Sequence, residues 1–168
     1  MADHVLPEAV ELDFATLLTN VGEGEKINVG GDLVTVRISS EQSGGQYFVF
    51  EELTQPGGGP PPHYHRQAEI FYVLDGDVDF MKIVDGEPQW LSGQPGSVCS
   101  IPPMAHHTFR NSGKTESRVL AVTLPGGMDH FFRAIGDPTN ADHAPGMDGP
   151  PDPERIRAAE QKYGVVFL

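Results

Sequence analysis

The chain has 168 residues, a length that fits one domain with a sizeable core. Its 11 basic residues stand against 24 acidic ones, and a formal net charge of −13 argues against nucleic acid or an anionic membrane surface as partner. A small neutral or metal-chelating ligand is the expected partner instead.

The first 20 residues carry Asp3, Glu8, Glu11 and Asp13 and no long apolar run. The expectation is neither a signal peptide nor a membrane span, and a cytoplasmic protein. Residues 1–30 read as an N-terminal arm. Its mixed amphipathic stretch at 10–18 is broken by Gly22, Gly24, Gly30 and Gly31, and is expected to pack on the body or on a partner subunit.

From Asp32 the period becomes two. Val34, Val36 and Ile38 fall on one face and Leu33, Thr35 and Arg37 on the other, and a second strand follows at 46–52 across a turn at Ser43-Gly44-Gly45. The run Pro56-Gly57-Gly58-Gly59-Pro60-Pro61-Pro62 would be a linker in isolation. Here it abuts His63, and proline fixes backbone direction, so it is read as aiming the next strand. The apolar run at 70–74 ends before Gly76. A hairpin at 77–91 turns at Asp85-Gly86, a strand spans 98–101, and 117–124 is the last clear strand. Cys99, the single cysteine, excludes an intrachain disulfide and a thiolate zinc cluster, and reads as a small buried strand residue.

Many short strands separated by glycine and proline turns predict an all-β, antiparallel barrel or sandwich over 31–125. Residues 126–168 read as a C-terminal helical extension packing on it. One helix is expected at 128–135, stopped by Gly136 and Pro138. A second runs from Glu154 to Tyr163, capped by Asp152 with Pro153 at its first position and ended by Gly164, before an apolar tail at 165–168.

The chemistry-bearing stretch runs from Gly57 to Asn111. Alternation along a strand puts His63 and His65 on one side. A kink through Arg66-Gln67-Ala68 would return the Glu69 carboxylate to that side, and His107 would arrive from another strand. Three imidazoles and a carboxylate leave up to two positions of an octahedral ion open, as a catalytic metal site requires. This donor set suits one divalent transition ion per chain, Fe, Mn, Ni, Co, Cu or Zn, and does not choose among them. Glu69 is either fourth ligand or general base. His106 neighbours His107 and is expected to face outward or into a loop. His4, His130 and His143 read as surface residues.

The order Gly57, His63, His65, Glu69, Gly76, then Gly96, Pro102, His107, Asn111 resembles the two signature motifs of the cupin superfamily. One position departs: Met104 stands where the second motif usually has glycine, which bears on the turn before His107. The resemblance implies a single antiparallel double-stranded β-helix, or jelly-roll barrel, with His63, His65, Glu69 and His107 as metal ligands and a homodimer as the assembly.

The block Pro61-Pro62-His63-Tyr64-His65, the stretch 102–111, Phe131-Phe132 and the closing Lys162-Tyr163-Gly164-Val165 also resemble small single-barrel cupins of the quercetin 2,3-dioxygenase-like type. That implies an oxygenase taking a small enol or aromatic substrate, with dioxygen as co-substrate. Phe109, Met128, Phe131 and Phe132 would line the substrate pocket. For Phe109 an ordinary core position, and for the other three ordinary helix packing, is the alternative. A non-oxidative metal isomerase or lyase, and a non-catalytic small-ligand-binding cupin, are the rival functions.

Overall fold

The computed structural model describes residues 16–147 and 152–168. Most of the amphipathic stretch at 10–18 therefore lies outside the described residues, as does His4. Leu17 and Leu18, at its end, are exposed.

The strands are β1 (Lys26–Val29), β2 (Asp32–Ile38), β3 (Phe48–Thr54), β4 (His63–Tyr64), β5 (Ala68–Asp75), β6 (Val78–Val84), β7 (Glu87–Gly93), β8 (Val98–Ile101), β9 (Thr108–Asn111), β10 (Ser117–Leu124), β11 (Asp137–Pro138) and β12 (Val166–Phe167). The helices are α1 (Met128–Ile135) and α2 (Pro153–Tyr163). Seven strands form one sheet in the order β11-β1-β2-β3-β10-β5-β8, and three form another, β7-β6-β9. The short pair β12-β4 joins the smaller sheet through a two-way backbone bridge between His63 and His107, 3.0 and 2.9 Å. All pairings are antiparallel. The result is the expected jelly-roll barrel.

Alternation builds the interior. Along β3, Phe48, Phe50, Glu52 and Thr54 are buried, while Val49, Glu51 and Leu53 are not. Phe71 and Val73 of β5, Phe80 of β6, Phe109 of β9 and Val119 and Ala121 of β10 complete the core from both sheets. Burying apolar side chains at about 25 cal/mol per Å² is the main stabilising term.

Three local features differ from the sequence expectation. Between glycines, Lys26–Val29 is too short to display a period, yet Ile27 is in the core and β1 pairs with β2 along its whole length. The β2–β3 hairpin exists, but its connection is the nine residues 39–47 and not a tight turn at 43–45. Val166 and Phe167, expected only as part of an apolar tail, add β12 to β4.

Both helices have the expected bounds. Asp152 Oδ1 accepts from the Glu154 N–H at 2.9 Å, Pro153 opens α2, and Gly164 closes it at φ +72°. No helix among the described residues is long and apolar enough to cross a membrane.

Candidate metal centre

The proline-rich run positions the site. Residues 57–63 lie alongside β9 and the turn before it: Gly57 N–H donates to Asn111 O (2.9 Å), Asn111 N–H to Gly58 O (3.0 Å), and His63 and His107 exchange bonds at the other end. The Thr108 hydroxyl donates to Pro60 O in between. A Cβ on Gly59 would stand 2.2 Å from Phe109 O, so only glycine permits this approach. Asn111 is a clamp: its Nδ2 donates to Thr54 O and Thr115 O, both at 2.7 Å, and its Oδ1 accepts from Gly113 N–H at 2.9 Å.

Met104 adopts φ +64°, the left-handed conformation that glycine favours, and its N–H donates to His65 O at 2.8 Å. The turn before His107 therefore keeps the shape that a glycine would give it, carried by a residue that bears strain there.

His63, His65 and His107 come together with ligand atoms all within 4.8 Å of one another. Each Nδ1 faces a backbone carbonyl two residues away: His63 to Pro61 O (2.8 Å), His65 to Gln67 O (3.1 Å), His107 to Ala105 O (2.8 Å). A carbonyl can only accept, so these contacts assign the proton to Nδ1 and leave Nε2 as a bare lone pair. The three rings thus present acceptors to one point.

Glu69, from β5 of the larger sheet, brings its carboxyl to two of the three rings, as the expected return after the 66–68 kink requires. Its Oε2 stands 3.3 Å from His65 Nε2 and 3.4 Å from His107 Nε2. Both Nε2 atoms are sealed from solvent and form no hydrogen bond. A lone pair facing a carboxylate oxygen at that distance is repulsive unless a positive charge lies between them. The donor set and its orphaned nitrogens fit a divalent cation.

The charges agree with that. Burial pushes the Glu69 carboxyl up, and holding it down at about 2 takes a proton on the facing His107 or His65 nitrogen, or a cation in that proton's place. His63 is lowered to about 4 by burial and by the neighbouring His107, against the opposing pull of the Pro61 carbonyl. His63 is thus a neutral ring at neutral pH, the form that can ligate.

Aromatic residues connect α1 and β12 to the site. Phe132 packs edge-on to Phe48 and Phe50, with ring centroids 6.0 and 5.2 Å apart. Phe131 lies 6.2 Å from Phe167, which is 5.7 Å from the His63 ring. Met128 and Phe131 are buried under α1. Phe109 stands elsewhere, with Phe71 and Phe80 at 5.4 and 6.3 Å, which is the core position. His106 is exposed and stacks on Tyr64 at 5.0 Å. His130 is half-buried against Glu41 and Tyr163, and His143 is exposed and paired with Glu116.

Two interior carboxyls escaped the sequence reading. Glu52 faces inward on β3, and burial, followed by the charges of Asp32 and Glu69, raises it well above the carboxylate range. Burial likewise raises Asp32 to about 7. Glu52 occupies an inward position of an otherwise apolar alternation, and that was the available signal.

Residues 50–123 match the family model described as a cupin domain. The quercetin 2,3-dioxygenase of Bacillus subtilis (strain 168) is 29% identical over 70% of this chain and 34% of its own length. The glucose-6-phosphate isomerase of Thermococcus gammatolerans is 33% identical over 44% of this chain and 40% of its own. The chain thus spans well under half of these curated relatives. Among solved structures, a predicted oxalate decarboxylase from Thermotoga maritima superposes with a TM-score of 0.56 at 21% identity, over 66% of this chain and 99% of that one.

Proposed function

The chain belongs to the cupin superfamily, and on that premise we propose that it is a metal-dependent dioxygenase of the quercetin 2,3-dioxygenase-like type, acting on a small enol or aromatic substrate. The observation that carries this is the convergence of three imidazoles, two of them with buried, unpartnered Nε2 atoms, beside the Glu69 carboxyl. His63, His65 and His107 would hold one divalent transition ion, with Glu69 beside it. Bound there, the ion would supply Lewis-acid polarisation of a substrate oxygen and an open position for dioxygen.

The chain's own residues do the rest. The Pro61, Gln67 and Ala105 carbonyls orient the three rings. Glu69 would serve either as a further ligand or as the base that takes the proton of a substrate hydroxyl. Phe131, Phe132 and Met128, with Phe167, exclude water from the mouth and offer an apolar surface to the body of the substrate.

The test is metal analysis of the purified chain, followed by oxygen uptake with flavonols after loading with Fe, Mn, Co, Ni, Cu or Zn. Uptake with at least one pair supports the proposal, and none with any overturns it. The match to a glucose-6-phosphate isomerase favours a second reading, a non-oxidative isomerase at the same site. Anaerobic interconversion of an aldose and a ketose phosphate would support it.

Self-association as a homodimer belongs to the same proposal. The outer face of β8, β5 and β10 exposes Val98, Ile70, Tyr72 and Leu124, an apolar stretch for a second copy. A monomeric mass in light scattering would count against it.

A further inference from the structure

Two polar side chains beside the three histidines have no partner within the fold. Thr123 on β10 is fully buried and its Oγ1 makes no hydrogen bond. Gln67 is 3% exposed and its Oε1 is equally unpartnered. Leaving such atoms unsatisfied is unfavourable, and native interiors tolerate it at places reserved for a ligand, an ion or water.

Their location singles out the first of these. Thr123 is directly opposite Glu69 on β5 and Phe48 on β3, and all three are buried. Gln67 lies between His65 and Glu69 in the chain. Its backbone carbonyl holds the His65 ring, and its amide nitrogen stands 3.8 Å from where a Cβ on Gly127 would be, at the start of α1. The two therefore stand around the imidazole–carboxylate cluster under the covering helix. Thr54 Oγ1, another unpartnered hydroxyl, is at the far end of β3 beside Asp32 and is not part of this group.

We propose that Thr123 and Gln67 are specificity-determining residues that read a hydroxyl carried next to the metal-binding oxygen of the ligand. This rests on the three-histidine site being a metal site. Gln67 Oε1 accepts only, and Thr123 Oγ1 can donate or accept. A surround dominated by acceptors favours a ligand that brings an O–H donor. A ligand with acceptors only would set an oxygen against the Gln67 side-chain carbonyl. A site built for a hydroxyl also rejects the analogue lacking it, because its own buried groups are then left unpaired.

The test uses the full chain loaded with Co(II), with cobalt content measured first. The probes are lactate and propionate, monoanions that differ by one hydroxyl, titrated by calorimetry. Wild type should prefer lactate. In Thr123→Val and in Gln67→Met that preference should fall by about tenfold, one hydrogen bond's worth, with cobalt content unchanged. Thr123→Ser should restore it. The intrinsic chelating advantage of lactate cancels in the comparison between proteins.

An equal preference in wild type and both variants overturns the proposal, as does a cobalt-loaded wild type that does not distinguish the probes. Loss of cobalt from Thr123→Val or Gln67→Met would assign that residue to the metal pocket and overturn its role as a reader. A wild type that takes up no cobalt refutes the histidine site itself, and the prior metal measurement separates that outcome from the others.

Discussion

Asp129→Asn tests how the covering helix is fastened. Asp129 is fully buried at the start of α1, where its carboxylate accepts from Ser40 N–H at 3.1 Å, from the Ser40 hydroxyl, and from Arg133 Nη1 at 3.1 Å. The Ser40 hydroxyl oxygen in turn accepts from Gly127 N–H at 2.6 Å, so the pair ties the β2–β3 connection to the first turn of α1. Asparagine keeps the shape and one acceptor oxygen, but removes the charge and turns an NH₂ toward donors. Arg133 retains Glu25 at 2.9 Å, so the loss falls on Ser40. With hydrogen bonds to charged groups worth about 1.5–3 kcal/mol each, a loss of about 3 kcal/mol is expected. At roughly 2–4 °C per kcal/mol for a chain of this size, Tm should fall by about 6–12 °C.

The sign with pH follows from the carboxyl itself. Burial acts to raise it, but the Ser40 donors, with His130 and Arg133, hold it below the usual carboxylate range. A lowered group contributes stability above its unfolded value, near 3.9, that is lost as pH falls through the folded one. Calorimetric Tm values for wild type and variant should differ by a constant amount from pH 6 to 8 and converge below about pH 4. A variant as stable as wild type at pH 7, or a gap undiminished in acid, would refute the reasoning.

Three further outcomes are expected. His107→Ala should abolish stoichiometric metal binding while circular dichroism still reports a folded barrel, whereas wild type gains about 2.7 kcal/mol at a free metal concentration of 100 Kd. Met104→Gly should raise Tm by roughly 2–4 °C, since relief of about 1–2 kcal/mol of left-handed strain exceeds the glycine entropy cost of about 0.5–1 kcal/mol; Met104→Ala should give no gain. Asp32, raised by burial to about 7, contributes stability that is full below its unfolded value and lost as pH rises through 7; denaturant titrations of wild type should show that decline, and Asp32→Asn should flatten it.

Local chemistry made the sequence legible in particular places. The Asp152 and Pro153 start of α2, the Asp85-Gly86 turn and the alternation of β3 and β10 depend on near neighbours, and the structure has them. The His63-x-His65 pair is likewise a local periodicity, whereas His107 was legible through the resemblance of its block to the second cupin motif. Glu69 was legible as a site residue on the histidine side, but not the sheet that carries it. A carboxylate arriving from the facing sheet depends on how β5 packs across the barrel, which no strand period contains. The same holds for Phe109: sharing a strand face with His107 did not decide whether it met the site or the Phe71–Phe80 cluster.

The sequence by itself determined an all-β antiparallel chain, its two helices, and three histidines with a glutamate as the group capable of chemistry, because alternation, caps and turn residues act over a few positions. Only the tertiary structure decided which nitrogens face inward, that β12 lies against β4, that Met104 takes a glycine conformation, and that Thr123 and Gln67 are left without partners. Those are properties of surfaces meeting across the barrel, where burial and the loss of water set the energies, and they are defined only once both sheets are in place.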